Sequence, residues 1–230
     1  MLSKRAVVLW TGGKDCNLAL FEAIQQGYEI VSLLSFVPLY PNFKAHPIRM
    51  MQQQANALEI PHAIIPISEP YKESYEAAIL KIKEEYGIDN IVTGDIAGVH
   101  GNTNWISDRS ISAGVNVFLP LWHLNREEVL NKLIALRFKV IFSCVKEPWL
   151  SVDWLGKEMN AESILALKEL HLRNGMDICG EAGEYHTLVL DGPLYKKSIS
   201  IDSFISRKED ALMYMDIAAV SLFAKCPYPS

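Results

Sequence analysis

The stretch that most constrains the fold lies at residues 11–16, which read Thr-Gly-Gly-Lys-Asp-Cys. It follows a continuous apolar run at residues 6–10, which is typical of a strand buried on both faces of a parallel sheet. It precedes apolar residues at helical spacing, and this predicted helix ends near Gly27. The segment therefore predicts a strand, a glycine turn and a helix in succession.

Such a turn suits an anion. The paired glycines Gly12 and Gly13 allow tight turn geometries and leave no Cβ in the way of a ligand. Free amides and the dipole at the start of the next helix favour a phosphate, and Lys14 adds a mobile positive charge. The Walker A motif does not explain the turn, because Val8 and Asp15 stand where that motif needs Gly and Ser or Thr.

The hexapeptide instead resembles the pyrophosphate loop, Ser-Gly-Gly-x-Asp-Ser, of the N-type ATP pyrophosphatases, which cleave ATP between its α and β phosphates. The alternative is an ordinary strand-to-helix turn. This chain has Thr11 and Cys16 where those enzymes usually have serine, and a thiol is a weaker donor than a hydroxyl. The resemblance implies that ATP binds to Thr11, Gly12, Gly13, Lys14, Asp15 and Cys16.

Strand-like and helix-like segments alternate along the first half of the chain, which predicts an α/β fold with a parallel sheet and helices on both faces. Further strands are predicted at residues 29–37, 63–67, 90–93 and 115–122, and helices at residues 50–58 and 71–86. On the first of these helices Gln52, Gln53 and Gln54 are predicted to lie on the wetter side.

Gly94 and Asp95 follow the predicted strand at residues 90–93. Ligands of such sheets lie beyond the carboxyl ends of the strands, so these residues are expected on the same rim as residues 11–16. The pair also matches a Gly-Asp-Ile pattern of the same enzymes. That resemblance implies nucleotide contact by Gly94 and Asp95 and a magnesium site at Asp15 and Asp95, while the alternative is a plain turn.

The second half is predicted to form a separate domain, with an ATP-binding domain at residues 1–122 and a substrate-binding domain at residues 123–230. Its predicted elements are helices at residues 126–136 and 162–172 and strands at residues 139–142 and 188–190. From Asp202 onward the chain has no recognisable motif, and one closing strand is predicted at residues 218–222.

A second dense cluster lies at residues 176–187. Four acidic residues lie in this cluster or just after it, interleaved with Gly180 and Gly183 and flanking an apolar strand: Asp177, Glu181, Glu184 and Asp191. Such carboxylates can hold magnesium, bind ammonium or act as general bases, and a solvated acidic loop is the alternative. His186 fits an acid, a base or a hydrogen-bonded strand residue.

Residues 179–187, Cys-Gly-Glu-Ala-Gly-Glu-Tyr-His-Thr, with Asp-Gly-Pro-Leu at residues 191–194, resemble the signature of the diphthine–ammonia ligase family. The loop at residues 11–16 and the motifs at residues 94–96, 120–122 and 154–156 occur in the family's order. The resemblance implies an adenine nucleotide α-hydrolase-like fold with a smaller C-terminal α/β domain.

It also implies an enzyme that uses ATP and magnesium to adenylate a carboxylate, after which ammonia displaces AMP. Lys14, Glu181 and Glu184 are then the expected catalytic residues, with the two glutamates handling ammonium. In that family the carboxylate belongs to diphthine on translation elongation factor 2. The alternatives that stay open are a paralogue acting on another carboxylate, a tRNA-modifying pyrophosphate-loop enzyme and a non-catalytic nucleotide sensor.

The amino-acid composition indicates the class of protein and the compartment in which we expect it. Half of the 230 residues are apolar and 21% are charged, which is usual for a soluble globular protein. No apolar run is long enough for a bilayer, and the net charge of −5 gives no general attraction to nucleic acid. The scattered cysteines at positions 16, 144, 179 and 226 form no C-x-x-C pair. We expect a cytoplasmic protein without membrane or nucleic-acid partners, and a homo-oligomer stays open.

Overall fold

The computed structural model describes residues 4–39, 44–98 and 103–225, so Cys226 lies outside the described residues. The chain divides into two compact units. Unit 1 is built from the described residues of Met1–Thr11, Asp15–Asn42 and Ile60–Leu124. Unit 2 is built from those of Gly12–Lys14, Phe43–Glu59 and Asn125–Ser230. Unit 2 thus takes in two segments of the N-terminal half, and the domain boundary after residue 122 stays a prediction.

Unit 1 contains a parallel sheet. Its strands are β1 Lys4–Leu9, β2 Tyr28–Pro38, β3 His62–Ile67, β4 Asn90–Val92 and β5 Asn116–Phe118. They run in the order β3-β2-β1-β4-β5, and every neighbouring pair is parallel. The central strand β1 buries Ala6, Val7 and Val8 completely, as its continuous apolar run predicts. The prediction of an N-terminal parallel sheet is confirmed.

Helices flank this sheet. They are α1 Lys14–Gln25, α3 Tyr71–Tyr86 and α4 Trp105–Ser110. Helix α3 buries Ile79 and Ile82 in a core that also contains Val7 and Ile91. Helix α1 begins at Lys14, shortly after β1 ends at Leu9, and this succession is the arrangement that residues 6–27 predict.

Unit 2 contains an antiparallel sheet. Its strands are β6 Lys139–Lys146, β7 Tyr185–Asp191, β8 Lys197–Glu209 and β9 Leu212–Ala224. Their order is β7-β6-β9-β8. The helices of unit 2 are α2 Ile48–Leu58, α5 Arg126–Ala135 and α6 Ala161–Asn174, with a 3-10 turn at Val152–Trp154. The second part of the chain is therefore also α/β.

Strands β8 and β9 form a hairpin of two 13-residue strands, where only a short closing strand at residues 218–222 was predicted. The sequence pattern missed most of this hairpin because much of β8 is exposed to solvent. Residues 202–209 of β8 are all exposed, so they lack the apolar alternation that signals a half-buried strand.

The prediction for Gln54 on α2 is wrong. Gln54 is completely buried, while Gln52 two positions earlier is exposed. Its side chain bonds to two backbone carbonyls of unit 2, and those bonds make burial of an amide tolerable.

Candidate active site

Within unit 2, residues Gly12–Lys14 are held against β7. The Val189 amide donates to the Gly12 carbonyl at 3.1 Å, and the Lys14 amide donates to Thr187 Oγ1 at 3.0 Å. The Lys14 amide is therefore not one of the outward-pointing donors that the loop pattern predicts. Thr187 on β7 accepts from this donor, so Lys14 is held against the strand that follows the acidic residues.

The Lys14 side chain is buried, which contradicts the predicted mobile charge. Only 3% of Lys14 is exposed. Its Nζ donates to the Cys179 carbonyl at 2.6 Å and lies 5.6 Å from the centre of the Tyr185 ring. A buried ammonium is stable only with such partners, so its position is fixed by the segment that precedes Glu181.

Glu184 is a buried residue of the acidic loop, which is the segment at residues 175–184 between α6 and β7. The residue is 3% exposed, and its two carboxylate oxygens each accept a backbone amide. Oε1 accepts from Asp177 at 2.9 Å and Oε2 accepts from Ala182 at 3.0 Å. These charge-assisted bonds hold the loop in one conformation.

The other acidic residues of the cluster differ from Glu184. Asp177 Oδ2 accepts from Arg126 Nε at 3.1 Å, and Asp191 Oδ1 lies 2.8 Å from Lys225 Nζ. Glu181 is exposed. The structure therefore does not bring the four carboxylates together into one site. Within the described ranges, no group of three or more His, Cys, Asp and Glu side chains could hold a metal ion.

His186 lies on β7 beside this loop. Burial lowers the pKa of its imidazole, and the positive charge of Lys14 lowers that pKa further. Its ring packs edge-on against His46 with 5.1 Å between the ring centres. A histidine with a lowered pKa is neutral at pH 7, so His186 adds no second positive charge beside Lys14.

Within unit 1, Gly94 lies against the start of α1. A Cβ at this position would fall 2.5 Å from the Asp15 carbonyl carbon and 2.7 Å from the Cys16 amide nitrogen, so no side chain fits. The contact places the Gly94-Asp95 turn beside Asp15, which brings together the two segments that carry the predicted magnesium ligands.

Asp95 is fixed by two donors. Its Oδ2 accepts from Thr93 Oγ1 at 2.9 Å and from Asn104 Nδ2 at 2.5 Å. It faces a cavity of about 510 Å³ in unit 1. The cavity is lined by Asp95, Ala97, Gly98, Thr103, Asn104, Trp105, Ile106 and Asp108. Trp105 begins α4, about half of it is exposed, and the Arg109 guanidinium carbon lies 4.7 Å from the centre of its ring.

Thr11 and Cys16 contact each other in unit 1. Thr11 Oγ1 donates to Cys16 Sγ at 3.7 Å, and Asn17 Nδ2 donates to the same sulfur at 3.9 Å. Only 6% of Cys16 is exposed. The thiol at the position where related loops have serine thus accepts hydrogen bonds from the chain itself.

Two protein-family models match the chain. The diphthamide synthase N-terminal domain matches residues 4–117, and the diphthamide synthase C-terminal domain matches residues 125–222. Together they span nearly the whole chain. The chain belongs to the diphthamide synthase family.

Relatives within this family are named diphthine–ammonia ligase. The Mus musculus protein is 26% identical over 245 residues, with 95% of this chain and 90% of the relative covered. The Danio rerio protein is 26% identical, with coverage of 86% and 87%, and the Homo sapiens protein is 25% identical, with coverage of 86% and 83%. A solved structure of a predicted tRNA methyltransferase subunit from Methanocaldococcus jannaschii is similar at a TM-score of only 0.44 and 16% identity, over 82% of this chain and 97% of that one.

Family membership and the contacts together separate the predicted site residues into two sets. Unit 2 brings Gly12, Lys14 and Glu184 onto β7 and the acidic loop, and unit 1 brings Asp15 next to Gly94 and Asp95. Sequence reasoning missed three residues that hold these positions: Gln54, Asn104 and Thr187. Thr187 stands inside the quoted signature, which is a signal that could have found it.

In the described part of the chain, no helix is long and apolar enough to cross a membrane.

Proposed function

We propose that this chain is an ATP-dependent, AMP-forming ligase that joins ammonia to a carboxylate. A carboxylate oxygen of the acceptor attacks the α phosphorus of ATP, the bond to the bridging β oxygen breaks, and pyrophosphate leaves. Ammonia then attacks the acyl carbon, the bond to AMP breaks, and the amide is released after a proton is lost. Membership of the diphthamide synthase family supports this reaction.

The single observation that carries the proposal is the attachment of Lys14 to the acidic loop. Its Nζ donates to the Cys179 carbonyl at 2.6 Å, so one buried cation links the phosphate loop to the segment expected to handle ammonia. A fixed positive charge beside the loop stabilises the charge that develops on the α phosphate and on departing pyrophosphate, and it needs no reorganisation during the reaction.

Magnesium fits the residues of unit 1. Asp15 and Asp95 offer hard oxygen donors on adjoining segments, and magnesium is usually held by one or two carboxylates together with substrate phosphates. We assign Asp15 and Asp95 as the residues that would hold the ion. When bound it would neutralise phosphate charge, while Thr11, Gly12 and Gly13 contact the phosphates and the buried Lys14 supplies a fixed positive charge.

Glu181 and Glu184 are the proposed residues for the ammonia step. Glu181 is exposed, and we assign its carboxylate to bind ammonium and take its proton. Glu184 is buried and accepts two backbone amides, which gives it a second role in holding the loop. The acceptor that we propose is the carboxylate of diphthine on translation elongation factor 2, in a cytoplasmic reaction, because the relatives are named for diphthine.

The experiment is ATP–pyrophosphate exchange with purified full-length protein. Exchange that depends on an added carboxylate, with amide formation on addition of ammonia, is the expected result. Diphthine-bearing elongation factor 2 and small carboxylates serve as acceptors, and unmodified elongation factor 2 is the matched control. Binding of ATP without exchange for any acceptor would contradict the ligase and favour a sensor, and exchange driven by tRNA would favour the tRNA-modifying alternative.

A further inference from the structure

Gln54 on α2 bridges two backbone carbonyls. Its Nε2 donates to the Gly12 carbonyl at 2.8 Å and to the Val189 carbonyl at 2.8 Å. Both amide hydrogens are therefore used, one on the predicted phosphate loop and one on β7. The opposite amide orientation would set Oε1 against two carbonyl oxygens, so these contacts fix which atom is the nitrogen.

The other end of the same amide approaches Gly12. A Cβ at residue 12 would fall 2.0 Å from Gln54 Oε1, and the backbone angle φ of Gly12 is +77°. Gln54 thus fills the space beside this glycine. Its side chain constrains Gly12 in two ways, because it bonds to the carbonyl and because any side chain at residue 12 would have to displace it.

Burying the side-chain amide of Gln54 costs free energy, because one of its polar atoms has no partner among the described residues. Oε1 is buried and has no hydrogen-bond partner in the part of the chain that the structure describes. A leucine of similar size would fill this position without an unsatisfied acceptor. The bonds donated by Nε2 offset this cost. One of them goes to the Gly12 carbonyl, which also accepts from the Val189 amide.

We propose that Gln54 is a positioning residue for ATP. A trans peptide directs the Gly12 carbonyl and the Gly13 amide to opposite sides of one plane. By holding that carbonyl toward α2 and β7, Gln54 fixes the plane of the peptide between Gly12 and Gly13 and so the backbone conformation of the loop that binds ATP in the proposed function. The inference rests on the proposed function, in which residues 11–16 bind ATP.

The test compares Gln54→Leu with Gln52→Leu in the full-length protein. Both variants make the same change on one helix, but Gln52 is exposed. Calorimetric titration with ATP is run well below the melting temperature of each variant. We expect Gln54→Leu to raise the Kd for ATP tenfold or more and Gln52→Leu to leave it within twofold. Exchange kinetics should show a higher KM for ATP, and the complete amide-forming reaction should show an unchanged KM for ammonia.

Gln54→Leu that melts earlier yet binds ATP like the wild type would overturn the inference, since a structural role alone gives that result. In that case the proposed function stands. A wild-type protein that does not bind ATP would instead sink the proposed function, and the inference with it. If Gln54→Leu does not fold, Gln54→Asn withdraws the amide by one methylene, and the same rise in Kd is expected.

Discussion

At the scale of single residues, Lys14 shows how one buried charge affects its surroundings. The ammonium is 3% exposed and bonds to the Cys179 carbonyl, so its charge is little screened by solvent. Together with burial it keeps the pKa of His186 below the ordinary value. The imidazole is therefore neutral in the folded protein under conditions where an unfolded chain already takes up a proton.

The first prediction concerns the dependence of stability on pH. As pH falls from the ordinary histidine pKa to the lowered pKa of folded His186, the unfolded chain binds more protons and the free energy of unfolding decreases. One such group contributes at most about 1.4 kcal/mol per pH unit. Urea unfolding of wild type and His186→Gln between pH 7.5 and 5 measures this slope. The variant should have a shallower slope, and equal slopes would contradict the assignment.

At the scale of elements, the acidic loop between α6 and β7 depends on one side chain. Glu184 joins the Asp177 and Ala182 amides, which are five positions apart, and it is buried, whereas Glu181 is exposed. Two carboxylates within one short loop thus have different environments. Substituting each of them by glutamine should distinguish a residue that holds the loop, Glu184, from one that takes a proton, Glu181.

The second prediction compares Glu184→Gln with Glu181→Gln. Glutamine at position 184 sets an NH₂ group against a backbone N–H, so the free energy of unfolding should fall by about 1–3 kcal/mol. At the exposed position 181 the change should stay within about 0.5 kcal/mol. Amide formation should fall about a hundredfold or more in Glu181→Gln, as expected for a lost general base, while ATP–pyrophosphate exchange is retained. Glu181→Gln that forms amide at the normal rate would refute its role.

Not every element was equally predictable. The strands of the parallel sheet were found because burial on both faces produces continuous apolar runs, as at Ala6, Val7 and Val8. The β8–β9 hairpin was mostly missed because the outer half of β8 is exposed on both faces. Gln54 was assigned to the wetter side because its burial depends on carbonyls far along the chain, one of them 135 positions away.

At the scale of the whole molecule, unit 2 is assembled from three separate parts of the chain. Helix α2 belongs to it, and the Ala57 carbonyl accepts from the Lys196 amide at 2.8 Å. Arg49 likewise donates to the Ala218 carbonyl at 3.1 Å. The C-terminal half alone therefore lacks groups that its hairpin contacts.

The third prediction follows from this discontinuity. A fragment of residues 125–230 should not unfold cooperatively in urea, because α2 and the loop at Gly12–Lys14 are missing from its sheet. Mixing it with a fragment of residues 1–124 should restore a cooperative transition followed by circular dichroism. A fragment of residues 125–230 with the midpoint of the full chain would show that α2 is dispensable.

The contact between Lys14 and Thr187 also sets an order of events on the ribosome. The two residues are 173 positions apart, and chains grow at roughly 5–20 residues per second, so the loop waits about 10–35 s for its partner strand. During that interval the first strand and helix are already made, but the loop at residues 11–16 between them is not yet held. Nascent chains that stop before residue 187 therefore carry the whole motif without its packed conformation.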